Sequence, residues 1–299
     1  SSKLRFVKTG LILGCGYVGR GLASSRRSCG DRILAVTRNA DTSRELTSEG
    51  VEVFQGSLQD GEWHDWAQNV DWVVNCVSSA GGGLAGYRLS YVDGNRSLVD
   101  WMEKSRFDGP AIYTSSVSVY PDSQGGWVGE SDARPHSERA EIMLEAEEMF
   151  LSGPLTVVKV ALRLGGIYGP GRSFLANRIR EVNGVMPGYG DYYLNLIRLE
   201  DIVSAIEAVL KAPSRQEGVF NVVDDQPMLK SELVSGLASV MELGRITFDP
   251  NSVGHRSSRR SDGERPANRR ISNKGFKEAF DWSPRFPNGL SGMTQLISG

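Results

Sequence analysis

The sequence predicts an α/β fold, a doubly wound parallel sheet followed by a smaller C-terminal domain. Three observations predict it. From Gly10 to Ser116, short apolar strands alternate with helical stretches, the pattern of successive crossovers in a parallel sheet. The first strand runs directly into Gly14-Cys15-Gly16-Tyr17-Val18-Gly19, a G-x-G-x-x-G spacing that opens a helix. Beyond Gly171 the alternation becomes irregular. The boundary is therefore placed at residue 170, with residues 1–170 forming the sheet domain, helped by a strand and helix from about 195–225, and residues 171–299 mainly the smaller one.

In chain order, Gly10–Leu13 reads as a buried strand and Val18–Ser28 as the helix after it. In such a turn the first glycine allows the bend and the second lets a pyrophosphate approach the backbone. The third lets helix and strand pack closely, and free N–H groups at the helix start meet the phosphates. Gly14, Cys15, Gly16, Tyr17, Val18 and Gly19 are thus expected to hold a dinucleotide. A plain glycine turn is the alternative in a chain with 35 glycines, and the strand–turn–helix placement argues against it. Arg32–Thr37 is a second strand, ending in Thr37-Arg38 with no acid before Asp41. An acidic side chain there would bind the ribose hydroxyl of NAD, whereas arginine matches the phosphate of NADP. NADP is the expected cofactor; a solvated arginine at a strand end is the competing reading.

Val51–Gly56 is the third strand. Ser57 and Leu58, in the loop after it, are expected at the edge of the adenine, and Trp63 and Trp66 are expected to face the core. Asp71–Val77 is nearly all apolar, as a strand covered on both faces should be. It leads into a glycine-rich loop, Ser78–Gly83, at the carboxyl edge where ligands of open α/β sheets bind. Tyr91–Ser105 reads as a long helix with Leu98, Trp101 and Met102 on one face, and Ala111–Ser116 as a fifth strand delivering hydroxyls to the same edge. Cys76, Val77, Ser78, Asn95, Thr114 and Ser115 complete the expected cofactor contacts. Pro135–Phe150 is a charged helix and Thr156–Leu164 a sixth strand. Leu194–Leu199 and Gly218–Val223 are further strands, with helices at Glu200–Leu210 and Lys230–Met241. The arginine-rich run Gly254–Arg270 has no apolar period. It is read as a solvated loop or as an anion clamp, with Arg265 and Arg269 as the clamp residues.

A formal net charge of −2 argues against a general nucleic-acid binder. The three cysteines, Cys15, Cys29 and Cys76, have neither disulfide nor metal-ligand spacing, and the histidines lie far apart. No metal is expected, and a reducing compartment is. No apolar run reaches the roughly 18 residues of a membrane span. The chain opens Ser1-Ser2-Lys3, so a processed or trimmed N-terminus is expected.

Taken together, the motifs resemble the extended short-chain dehydrogenases/reductases, the group of nucleotide-sugar epimerases and dehydratases. The landmarks follow in order: Gly14–Gly19, Tyr113–Tyr120, Arg163–Gly171, Ile197–Ile202, Gly218–Pro227, and Arg270–Lys274 with Trp282-Ser283-Pro284. The resemblance implies a Rossmann domain, a C-terminal substrate domain and NAD(P) in the cleft. It implies Ser116 as the serine that hydrogen-bonds a substrate oxygen, a nucleotide sugar or other carbonyl compound as substrate, and a homodimer through the helices around Leu98 and Met143.

It also exposes a departure. These enzymes use a Tyr-x-x-x-Lys pair, in which lysine helps a phenol of pKa near 10 work at neutral pH. None of the nine tyrosines has a lysine four residues on, and alignment puts Arg139 and Met143 at the two positions. Guanidinium stays protonated and cannot shuttle a proton. The chain is thus similar to the atypical members of the group, and its Ser137-Glu138-Arg139 resembles a bacterial and plastid set of epimerase-like proteins. The expected compartment is cytoplasm or plastid stroma, with the protein soluble. Two functions follow. One is an NADP-dependent oxidoreductase or epimerase-like enzyme with a rearranged acid/base set, its proton donor drawn from Tyr120, Tyr168 or Glu138. The other is a catalytically silent NADP-binding redox sensor, scaffold or assembly factor.

Overall fold

Thr9–Leu13 (β1) is apolar or small at every position and buried throughout in the computed structural model, which describes residues 7–79, 81–212, 216–252 and 265–298. A strand buried on both faces belongs in the middle of a parallel sheet. β1 pairs in parallel with Arg32–Thr37 (β2) on one side and Trp72–Asn75 (β4) on the other. Glu52–Gln55 (β3) adds to β2, and Pro110–Ser116 (β5) to β4, both in parallel. Val158–Leu164 (β6) and Gly218–Val222 (β7) complete a seven-stranded sheet in the order β3-β2-β1-β4-β5-β6-β7. Reversal of strand order beside β1 creates the switch point where open α/β sheets bind ligands.

The helices follow from local chemistry. Tyr17–Ser28 (α1) buries Val18, Leu22 and Ala23 and ends on Arg26 and Arg27, cations that suit a helix C-terminus. Asn39 caps Ala40–Ser48 (α2), its side chain accepting from the Thr42 N–H at 2.8 Å. A short helix, Glu62–Trp66 (α3), buries Trp63. Trp66, expected in the core, is half-buried against Phe54 with ring centroids 5.7 Å apart.

The expected helix at Tyr91 begins earlier. Gly83–Arg88 (α4) continues through a π-helical turn, Leu89–Asp93, into Gly94–Lys104 (α5). The run of glycines read as loop therefore ends in a helix, started by Gly82 at φ +81°. Ser137 caps Glu138–Leu151 (α6) by accepting from the Ala140 N–H at 3.2 Å. Leu98 and Met143 are both buried inside the chain.

The chain divides into two compact units. The first comprises residues 1–119, 134–163 and 203–220, and the second 120–133, 164–202 and 221–299. Residues 120–133, assigned by sequence to the first domain, cluster with the second unit. The second unit is built on Phe174–Glu181 (α7), Lys230–Val240 (α9) and Gly289–Ser298 (α11), with Tyr168, Ile179, Met186, Leu233, Leu237 and Met293 in its core. Leu199–Lys211 (α8) spans both units, and Lys274–Phe280 (α10) lies in the second. The expected strand Leu194–Leu199 is two short ones: Tyr193–Leu194 pairs with Met228–Leu229, and Leu196–Arg198 with Gly166–Tyr168. Among the described residues no helix is long and apolar enough to cross a membrane. Ser1-Ser2-Lys3, Ala80 of the glycine-rich loop and the Gly254–Glu264 part of the arginine-rich run lie outside the described residues.

Candidate functional site

The carboxyl edge of β1, β2 and β4 carries a groove of about 520 Å³, lined by Gly14, Cys15, Gly16, Thr37, Arg38, Leu58, Val77 and Ser78, all named from sequence. Val36, Asn39, Thr42, Gly56, Gln59 and Ser90 also line it, and sequence reading missed them. Asn39 and Thr42 form the start of α2 directly after Arg38, so an N-cap signature following the arginine was the cue available.

Its floor is the glycine turn. Gly14 has φ +75°, and a Cβ there would lie 2.6 Å from the Val77 Cα. A Cβ on Gly19 would sit 3.1 Å from the Gly14 carbonyl oxygen and from Ile12. A Cβ on Gly16 would meet no protein atom within 4 Å, and its φ is −82°. No protein atom occupies the place a Gly16 side chain would take, so its absence leaves room above the backbone at the start of α1. That start has no side-chain cap and no acid in its first turn, which suits an anion at the positive end of the helix.

Chemistry around the turn is neutral. Burial pushes the Cys15 thiol up to about 12, and burial likewise raises the Cys76 thiol far above its ordinary value, with the neighbouring Cys15 adding to it. Both stay protonated at neutral pH and contribute shape, not nucleophilicity. At the β2 end Thr37 Oγ1 accepts from the Asn39 N–H at 3.3 Å. Arg38 is exposed and makes no ion pair or hydrogen bond with any described residue. Arg20 of α1, by contrast, is paired with Glu45.

Several expected cofactor contacts have other work. Asn95 is fully buried: its Oδ1 accepts from Asn75 Nδ2 at 2.7 Å and its Nδ2 donates to the Ala146 carbonyl at 2.8 Å. It ties β4 to α6 and does not line the groove. Asn75 in turn accepts from the Val77 N–H at 3.1 Å, which shapes the groove wall at one remove. Ser115 is buried and donates to Glu147 at 2.5 Å, and Glu147 forms a bidentate ion pair with Arg163 at 2.7 Å and 3.0 Å. Thr114 donates to the Asn75 carbonyl at 3.2 Å. Ser57 caps the turn Leu58–Asp60 and lies outside the lining, as do Tyr17, Val18, Gly19 and Cys76.

The expected catalytic set is only partly assembled. Ser116 is half-buried at the end of β5, its Oγ accepting from the Ser118 N–H at 3.1 Å. Tyr120 is buried in the second unit and donates to Asn221 Oδ1 at 2.5 Å. Tyr168 is also buried there, 3 % exposed, and burial first, then the charge of Asp224, pushes its phenol far above 10. Both phenols are thus buried among second-unit residues. Glu138 is exposed on the first turn of α6. Arg139 is exposed, with its guanidinium 5.8 Å from the centre of the Tyr87 ring, and Met143 is buried. In the second unit Arg265 is exposed and pairs with Asp191 at 2.5 Å, above the Tyr189 ring. The Arg269 Nε is buried, so of the two arginines only Arg265 projects outward as a clamp would.

Seven strands in this order, with a glycine turn opening α1 beneath a groove, define a dinucleotide-fold protein of the extended dehydrogenase type. The family model described as NAD dependent epimerase/dehydratase family matches residues 11–222, and the chain belongs to that family. Protein YeeZ of Escherichia coli K12 is 26% identical over 262 residues, covering 86% of this chain and 92% of its own. Among solved structures, the ADP-L-glycero-D-manno-heptose-6-epimerase of Helicobacter pylori superposes with a TM-score of 0.79 at 19% identity, covering 98% of this chain and 96% of its own. The dTDP-glucose 4,6-dehydratase of Bacillus anthracis, solved in complex with NAD, superposes with a TM-score of 0.76 at 19% identity, covering 98% and 97%. At these identities the two structures speak for the fold.

Proposed function

We infer that the groove binds a nicotinamide dinucleotide, with NADP preferred, and that the chain is an oxidoreductase or epimerase-like enzyme with a rearranged acid/base set. Space above Gly16 carries the first part: the backbone is left bare where a pyrophosphate would meet the start of α1. Arg38 carries the preference. It lines the groove at the end of β2, has no protein partner among the described residues, and presents the planar fork that suits a ribose phosphate. When bound, such a cofactor supplies hydride chemistry; this chain's residues bind and orient it. Gly14, Gly16 and the first turn of α1 would hold the pyrophosphate, Thr37 and Arg38 the phosphorylated ribose, and Leu58 the adenine. Ser116 would position a substrate oxygen. The second unit would supply the substrate contacts, as the resemblance implies, with Arg265 its best-placed outward arginine. The solved dehydratase with NAD and the nucleotide-sugar enzymes among the neighbours support a carbonyl or nucleotide-sugar substrate.

The test of the preference is equilibrium binding of NADPH and NADH to the wild-type chain and to Arg38→Ala. NADPH should bind more tightly to wild type, and the variant should lose roughly tenfold or more for NADPH and little for NADH, as expected when a charge-assisted contact of about 1.5–3 kcal/mol is removed. Equal loss for both dinucleotides contradicts the NADP reading.

A second reading, a catalytically silent NADP-binding sensor or scaffold, is favoured by one observation. Met143 is buried and the Arg139 guanidinium lies 5.8 Å from the Tyr87 ring centre, and these are the two residues that sequence alignment sets against the family's working pair. Oxidation of NADPH by any member of a panel of nucleotide sugars, quinones and small carbonyls would eliminate it; tight binding without turnover would favour it.

A further inference from the structure

An enzyme of this kind needs a group that gives or takes a proton beside the carbonyl, and neither Arg139 nor Met143 can do so. The hydroxyls of Tyr120 and Tyr168 are buried in the second unit, and Tyr113, on β5, is buried with its hydroxyl unpaired. The first unit carries two half-buried phenols on a different element. Tyr87 on α4 and Tyr91 in the π-helical turn meet edge to face with ring centres 4.6 Å apart. Arg139 lies 5.8 Å from the Tyr87 ring centre, on α6, so the guanidinium joins the same cluster. Tyr91 Oη accepts a hydrogen bond from the Ser79 N–H at 3.0 Å.

The two residues that meet at this hydrogen bond each adjoin a groove residue in the chain. Ser79 follows Ser78 and Tyr91 follows Ser90, and both Ser78 and Ser90 line the groove. The turn that carries Tyr91 is π-helical, a rare insertion that re-aims side chains and recurs at functional sites. An amide N–H aimed at a phenol oxygen stabilises the phenolate, part of the help the missing lysine would give, and the Arg139 guanidinium stands beside the Tyr87 ring that packs on this phenol.

We propose that Tyr91 is the acid/base residue of this chain, held by the Ser79 N–H and supported by Tyr87 and Arg139 in place of the Tyr-x-x-x-Lys pair. The assignment rests on the dinucleotide-dependent reading above. In the reducing direction the substrate C=O accepts a hydride, two electrons and one proton, from a reduced nicotinamide dinucleotide and becomes an alkoxide. The Tyr91 O–H bond breaks as the proton passes to that oxygen, leaving an alcohol and a phenolate that accepts the Ser79 N–H. Water then reprotonates the phenolate. The reverse direction runs the same transfers backwards.

The first test needs no substrate: alkaline titration of tyrosinate absorbance in the full chain without cofactor. Wild type should show one phenol ionising about one pH unit or more below the ordinary value near 10, and Tyr91→Phe should lose it. Ser79→Pro, which keeps the phenol but removes the N–H, should move that ionisation upward. Tyr91→Phe should bind NADPH within about twofold of wild type. With any panel carbonyl that wild type reduces, kcat should fall roughly 10²–10⁴-fold with KM little changed. A titration curve for Tyr91→Phe that matches wild type, or turnover that survives the substitution, overturns the proposal. Failure of wild type to bind NADPH overturns the underlying dinucleotide reading, and the titration then separates the two failures.

Discussion

A methyl group added at Gly14 would press on the Val77 backbone at 2.6 Å from a left-handed φ of +75°, whereas one added at Gly16 would meet nothing. Two glycines a residue apart are therefore required by different things, one by the fold and one by a ligand. Gly14→Ala should lower stability by about 1–3 kcal/mol or more, read as a drop in the midpoint of denaturant unfolding. Gly16→Ala meets no protein atom and should lower stability by less, about 1 kcal/mol for the weaker N-cap. Asp224 is the second residue with a measurable signature. It is buried in the second unit, one carboxyl oxygen has no partner, and burial first, then the charges of Asp225 and Asp201, hold its pKa well above the ordinary value. The folded state thus keeps a proton that the unfolded chain releases above about pH 4. No penalty exists below that pH. As pH rises toward the folded pKa the unfolded chain gives up its proton while the folded chain retains it, so this group's effect is to reduce stability. Thermal unfolding across pH 5–8 should show Asp224→Asn with a flatter profile than wild type and a rising advantage, up to about 1.4 kcal/mol per pH unit. Parallel profiles would contradict the assignment.

At the scale of elements, α6 does two jobs that sequence could only half separate. Its buried face carries Glu147, locked to Arg163 of β6 and Ser115 of β5, all three buried. Removing one partner leaves the other charge uncompensated in a dry interior, so Glu147→Ala should cost about 3–5 kcal/mol in denaturant unfolding. A loss below about 1 kcal/mol would show the pair to be solvated. Its exposed first turn presents Arg139 to Tyr87 on the neighbouring α4, where the resemblance had left only a gap. The α4 segment itself was illegible in advance. Glycine is a poor helix former, and Gly82 and Gly83 read as loop although α4 begins at Gly83. A π-helical turn has no sequence signature either, so the approach of Tyr91 to Ser79 could be found only in three dimensions. The glycine turn and Arg38 were legible because both depend on residues close in sequence.

For the whole molecule, the sheet was the most readable feature. Runs such as Ile33–Val36 and Trp72–Asn75 are buried on both faces and announce themselves as apolar stretches, and the strand order follows from right-handed crossovers. The second unit was less readable because its strands are two or three residues long and pair across wide sequence separations, as Gly166–Tyr168 does with Leu196–Arg198. The partners of Asn95 and Ser115 were unreadable for a related reason. They occupy sequence neighbourhoods that meet the groove, but their side chains point to buried partners that only the packed fold supplies. The central claim is that the groove over Gly16 holds a nicotinamide dinucleotide, and calorimetric titration of the wild-type chain and Gly16→Ala with NADPH tests it most directly. Wild type should bind one NADPH per chain saturably, and the variant, still folded at the titration temperature, should bind at least tenfold more weakly. No binding to wild type, or equal binding by both, would contradict it.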